Sequence, residues 1–201
     1  MIYIVNHIPN IPLVMLGYEN LYVGSVGKGE INHLNPYINE ATGLYEIWKK
    51  KDMIKGLVHY RRYFLDDGGF LSIDRAAEIL NEYDVITCKN YEPPTPLEHL
   101  YKYLDKGIVD KYIYQLPREV IEWFNSYQSF NILNMFVSKA EFIDAYCEWL
   151  FPLILPLAEQ FAREDVTEDR HRNRTIGYII ECLFGYWCKD YKKYQMEVRT
   201  L

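Results

Sequence analysis

The pattern that most narrows the fold is an alternation near the amino terminus: a short apolar run, an amphipathic stretch, then a second short apolar run. Ile2-Tyr3-Ile4-Val5 is β-branched and aromatic, too short for a helix, and stops at the polar pair Asn6-His7; it reads as a buried strand. Leu21-Tyr22-Val23, closed by Gly24, reads as a second strand. Asn35-Pro36 opens a helix with a capping side chain and a proline at the first helical position. Ile38, Ala41, Leu44, Tyr45 and Trp48 recur at three and four, and Lys49-Lys50-Lys51 suit the carboxyl end. Gly43 inside this helix points to close approach of a neighbouring backbone or ligand, or is incidental. Ile54 to Val58 is the next buried strand. This order predicts an α/β fold, Rossmann-like, with a mixed, mostly parallel sheet flanked by helices. At 201 residues the chain reads as one domain, 1–201.

Further elements follow by the same logic. Leu65-Asp66-Asp67-Gly68-Gly69 is a turn by composition. Ser72 to Tyr83 is an amphipathic helix, Asp84 to Cys88 a strand, Pro117 to Tyr127 a helix and Phe130 to Val137 a strand. The prolines of Tyr91 to Pro96 exclude regular structure there and open a mobile or ligand-facing excursion through Leu116, helical in part around Leu97 to Leu104. Ala140 to Leu150 is a helix, with kinks or breaks expected at Pro152 and Pro156. The charged run Arg163 to Arg174 reads as a solvated loop. Thr175 to Cys188 is a final buried helix, and Glu181 inside it needs a partner or a purpose.

The chemistry concentrates in Gly56 to Phe64, where a strand delivers His59, Tyr60, Arg61 and Arg62 at its carboxyl end. Ligands bind at such ends in open α/β sheets, and the guanidinium fork matches phosphate oxygens. The pair reads equally as surface arginines bonded to Asp66 and Asp67. A net charge of −6 argues against a nucleic-acid surface, while the local density of Lys49, Lys50, Lys51, Lys55, Arg61 and Arg62 suits a small anion. Nineteen tyrosines fit a wide groove for sugars, peptides or bases as well as a core. The four cysteines lack metal-ligand spacing and read as buried thiols in a reducing compartment. The amino terminus lacks the features of a signal peptide, and the longest apolar run, Trp149 to Ala158, is about half of the ~20 residues a membrane span needs. A cytoplasmic protein is expected.

Five words of sequence, Asn35 to Lys49, Gly56 to Phe64, Asn134-Met135-Phe136, Tyr146 to Phe151 and Arg174 to Glu181, occur in the order in which they resemble the bacterial family called domain of unknown function 4422. That family is found among capsule and exopolysaccharide glycosyltransferases. The resemblance implies a GT-A-like fold and transfer of a sugar from a nucleoside-diphosphate donor, UDP-linked in expectation, to a saccharide or lipid-linked glycan acceptor. It allows peripheral contact at the inner face of a membrane. Such enzymes usually carry Asp-x-Asp at the end of a central strand for a divalent cation; here His59-Tyr60-Arg61-Arg62 stands in that place. The resemblance therefore implies that Arg61 and Arg62 face the donor diphosphate without a metal. Asp66 and Asp67 are the candidates if manganese or magnesium is needed. His59 would bond donor or acceptor, and Asn6 and His7 would sit near the base. Asn35, Glu40, Thr42, Gly43, Asn134 and Arg174 would meet the donor sugar. Glu181 would act as general base if the reaction inverts. Capping by Asn35, a strand-end bond from Asn134 and a salt bridge from Glu181 to Arg174 or Arg61 account for these residues equally well. A non-catalytic nucleotide-sugar or glycan-binding module is the alternative function.

Overall fold

A computed structural model of the protein describes residues 1–8, 15–92, 94–127 and 129–201; Pro93 of the proline-rich stretch lies outside them. The elements in chain order are β1 (Ile2–Asn6), β2 (Tyr18–Tyr22), α1 (Asn35–Ile38), α2 (Ala41–Trp48), β3 (Ile54–His59), β4 (Arg62–Asp66), β5 (Gly69–Phe70), α3 (Ile73–Ile79) and β6 (Val85–Cys88). There follow α4 (Pro96–Tyr101), α5 (Lys106–Ile113), α6 (Arg118–Phe124), β7 (Phe136–Lys139), α7 (Ala140–Glu164), α8 (Thr175–Trp187), β8 (Lys193–Met196) and β9 (Val198–Thr200). The main sheet runs β2-β1-β3-β7-β6-β8. Only β7 in this path opposes its neighbours; the others share one direction. This is the mixed, mostly parallel α/β sheet expected from the sequence.

Both faces of the sheet are covered, which is why its strands are apolar at successive positions. Tyr3 and Val5 of β1, Leu57 and Phe136 face the larger core, built with α1, α2 and α4 through α8. Ile2, Ile4, Val58 and Val137 face a smaller core under the β4–β5 hairpin and α3. All four cysteines are free and buried. No helix among the described residues is long and apolar enough to cross a membrane.

Gly43 of α2 lies against β1, where an added Cβ would stand 2.5 Å from Val5 Cγ2. Neither atom sits on a flexible tail, so one element has to move. Gly43→Ala is expected to lower stability by about 2 kcal/mol, read as a lower urea midpoint at unchanged m-value; an unchanged midpoint would show that the contact relaxes freely.

Several expectations are corrected. The helix expected around Leu97 to Leu104 is α4, but Leu97 to Leu116 is more regular than expected: α4 and α5 are capped by Thr95 and Asp105 and bury Leu97, Leu100, Val109, Tyr112 and Ile113 in the core. Pro96, which suggested disruption, occupies the first turn, where no donor is required. α7 runs unbroken through Pro152 and Pro156. Both prolines and Glu148 are on its exposed side, so the carbonyls they leave unbonded meet water. The strand expected from Phe130 shrinks to Phe136–Lys139, because the Asn131 side chain accepts from Leu133 N (2.8 Å) and bends the chain first. Leu65 and Asp66 belong to a strand, with the turn only at Asp67 and Gly68.

The lysine-rich run is not one basic site. Lys55 is buried at the start of β3, 2.6 Å from Asp144 Oδ1 and 2.9 Å from the Trp48 carbonyl. Lys49 pairs with Glu30 and Lys50 with Glu19. Arg61 and Arg62 lie at the other end of the strand: Arg62 pairs with His59, four residues beyond Lys55 and about 13 Å along at the rise of a β-strand.

Candidate functional site

β1 and β3 are parallel neighbours, but the chain leaves β1 toward β2 on its other side before crossing back. Strand order therefore reverses between them, and the crevice at their carboxyl ends is where open α/β sheets bind ligands. His7 and Tyr60 meet edge-on across it, ring centroids 4.9 Å apart. Beside it opens a cleft of about 450 Å³ lined by His7, Val23, Gly24, Ser25, Asn35, Asn39, Glu40, Arg170, Asn173 and Arg174, among others.

The cleft wall is made by a break in the helix expected from Asn35 to Lys51. α1 ends at Ile38, and Asn39 takes φ 51°, ψ −126° before α2 begins at Ala41. This conformation lies outside the ordinary left-handed basin, a strain that surrounding contacts must hold. Asn35 supplies one: its Nδ2 donates to the Asn39 carbonyl (3.0 Å) and to Thr42 Oγ1 (3.3 Å). Asn35 thus secures the break rather than capping the helix start. The Asn39 side chain supplies another. Its Oδ1 accepts from Arg174 Nε at 2.8 Å, and its Nδ2 lies so close to α8 that a Cβ on Gly177 would stand 2.2 Å from it.

The break turns Glu40 toward β3. Glu40 Oε1 lies 3.7 Å from His59 Nδ1, and Arg62 Nη1 donates to the same nitrogen at 3.3 Å. Burial, assisted by the charges of Arg62 and Arg61 and opposed by Glu40, lowers the His59 pKa, so the ring is neutral. An acceptor Nδ1 fits that state. Burial pushes the Glu40 pKa up, but His59 where it is protonated, a main-chain bond, Arg174 and Arg62 bring it below the usual range; beside the neutral ring it is the main-chain bond and the two arginines that keep Glu40 ionised. Glu181 goes the other way. Part of its surface meets solvent, yet enclosure of its carboxyl group and then the charge of Glu40 raise its pKa well above the ordinary value, against Arg174 and Arg62. Two carboxyl groups with opposed environments are the arrangement in which one keeps a proton and the other a charge.

The structure brings Glu40, His59, Arg62, Arg174 and Glu181 into one electrostatic group and places His7 and Asn35 on the cleft wall. Asn134 is buried with its main chain against His59. The others are elsewhere. Asn6 is buried and its Oδ1 accepts from Ile8 N (2.8 Å), shaping the loop. Thr42 and Gly43 are buried in packing and do not reach the wall. The two arginines diverge: Arg62 turns inward, whereas Arg61 is exposed with its guanidinium 5.6 Å from the Tyr60 ring centre. Glu181 makes no ion pair with Arg174 or Arg61 within 4 Å among the described residues. Asp66 pairs with Arg75 (3.6 Å) at the far end of β4, and Asp67 is exposed in the turn. Among the described residues no group of three or more His, Cys, Asp or Glu is placed to hold a metal ion.

Asn39, Arg170, Asn173 and Ser25 were missed. Arg170 and Asn173 belong to the charged run read as a solvated loop, which is in fact braced by Asn173: its Oδ1 accepts from Thr167 N (2.9 Å) and its Nδ2 donates to the Thr167 carbonyl (2.8 Å). The available signal was the cadence Arg170-His171-Arg172-Asn173-Arg174 just before a buried helix.

Fold and crevice together define an open α/β protein with a cleft at its topological switch point. The chain belongs to the family described as domain of unknown function 4422, whose profile matches residues 19–193. Its fold is similar to the solved apo structure of WbbM, a bifunctional glycosyltransferase, with a TM-score of 0.79 and 21% identity over the whole of this chain. The chain spans 45% of that protein's length. No curated protein matches it.

Proposed function

We propose that the protein is a glycosyltransferase that moves a sugar from a nucleoside-diphosphate donor, UDP-linked, to a saccharide or lipid-linked acceptor in surface-glycan synthesis. The observation that carries this reading is the cleft at the switch point of the sheet, with Glu40, Arg170 and Arg174 on its wall; Glu181, whose pKa is pushed up by burial and by the charge of Glu40, is the candidate base. The fold shared with WbbM supports it. In the proposed reaction the acceptor oxygen bonds to the anomeric carbon as that carbon's bond to the diphosphate breaks. The diphosphate leaves with the electron pair, and the hydroxyl proton passes to Glu181 in its deprotonated fraction. Glu40 offers a fixed negative charge to the developing positive charge at the anomeric centre. The cationic groups on the cleft wall are the arginines Arg170 and Arg174, a donor set for an anion rather than for a divalent cation, so no step is assigned to a metal.

The test is turnover with a panel of nucleotide sugars in excess chelator. Sugar transfer to an acceptor is expected to persist. Complete loss that manganese or magnesium restores would overturn the metal-free mechanism and bring Asp66 and Asp67 forward; binding of a donor with no turnover would favour a recognition module.

A further inference from the structure

We infer that the donor diphosphate is held by Arg170 and Arg174, on the segment leading into α8, with Asn39 as the residue that positions Arg174. This rests on the proposed donor class and relocates its phosphate subsite away from Arg61 and Arg62. Arg62 is already engaged by its bond to His59 and is not on the cleft wall; Arg174 shares with it the role of counter-charge to Glu40 and Glu181 but does line the cleft. Arg61 is exposed beside Tyr60 and does not line the cleft. Arg170 and Arg174 do line it, four residues apart, facing the loop that carries Gly24 and Ser25. Arg172 between them is instead a charge neighbour of Asp165.

Arg174 has the geometry of a prepared anion site. Its Nε is tied to Asn39 Oδ1 at 2.8 Å, while neither Nη group has a hydrogen-bond partner among the described residues. A guanidinium anchored at Nε presents the planar edge formed by its remaining donors, the edge that fits two phosphate oxygens at once. The anchor is itself held: the Asn39 N–H donates to the Asn35 carbonyl, its own carbonyl accepts from Asn35 Nδ2 and Thr42 N, and its amide lies against Gly177. Holding a long cationic side chain in place before the ligand arrives removes part of the ordering cost of binding. Arg170, exposed and without an ion-pair partner within 4 Å among the described residues, adds a second charge at the mouth.

Calorimetric titration of the full chain with UDP, GDP, CDP and dTDP, each beside its parent nucleoside, tests this. At least one diphosphate is expected to bind. For it, Arg174→Ala should weaken affinity about 30-fold and Arg170→Ala about 5-fold, with the nucleoside affected far less. Arg174→Lys should recover little, since an ammonium cannot both reach Asn39 and present a fork. Asn39→Ala should weaken the diphosphate through Arg174 while leaving the Arg170 contribution intact. Arg170→Ala removes an unpartnered surface side chain and leaves folding out of the result. Wild-type binding that both arginine variants retain would overturn the subsite and leave the donor reading standing. Binding of no diphosphate by the wild type would overturn both.

Discussion

Replacing Glu181 by glutamine is expected to lower sugar transfer about 10²- to 10⁴-fold, the range for loss of a general base, and to stabilise the protein at neutral pH. The two effects have one origin. Burial of the carboxyl group and the charge of Glu40 raise the Glu181 pKa in the folded state, so the native protein binds this proton more tightly than the unfolded chain does. Stability from this group is complete below the unfolded value, about 4.3, and falls as pH rises toward the folded value. Each tenfold difference in proton affinity is worth about 1.4 kcal/mol. Glutamine has no proton to lose, so its advantage should be small at pH 4 and grow toward pH 8. Urea midpoints of both proteins at these two pH values measure it. Parallel pH profiles would remove the strained carboxyl group from the account, and full transfer by a folded variant would end the catalytic role.

The fold was largely legible because its strands are buried on both faces. Ile2 to Val5 carries apolar residues at four successive positions, and Leu57-Val58 at the end of the second run repeats the pattern after Lys55 and Gly56, as a sheet covered on both faces allows. What escaped was set by side chains bonding locally to backbone. Asn35 was legible as a helix-start residue, but its bonds to Asn39 and Thr42 replace a continuous helix with two. Asn131 likewise shortened β7. The prolines of α7 misled for another reason: their cost depends on whether the freed carbonyls see water, and Pro152 and Pro156 recur four apart on the wet side.

Of the candidate site, part of the membership was legible. His59, Arg62 and Glu181 were singled out from a strand end and a charge inside an apolar helix, and the fold brings them together. That Arg61 and Arg62 part company follows from the turn between β3 and β4, which sequence spacing does not specify. Arg170 and Asn39 carry no periodic signal. Their positions depend on α1 packing against α8, a contact between segments more than a hundred residues apart, secured by the Asn39–Gly177 fit.

Arg62→Ala is expected to reduce kcat/KM about 10²- to 10³-fold, as for loss of one fixed charged donor in a water-poor site, and to move the titration of its neighbours in predictable directions. Arg62 lowers the pKa of both Glu40 and His59. Without it, both should rise. In the wild type the neutral His59 contributes stability above the unfolded value, about 6.5. That contribution is lost as pH falls from there through the depressed folded value, because the unfolded chain takes up the proton first. Raising the folded value narrows this window, so the His59 part of acid destabilisation should shrink in the variant even though its overall stability is lower. The His59 ring resonance followed by NMR between pH 4 and 8 reads the change directly. Arg62→Lys should restore most of the pKa values but little of the rate, because an ammonium supplies the charge without the planar donor that meets His59 Nδ1. An unmoved His59 titration in Arg62→Ala would show that Arg62 does not set the charge state of the crevice, and the counter-charge to Glu40 would then fall to Arg174 alone.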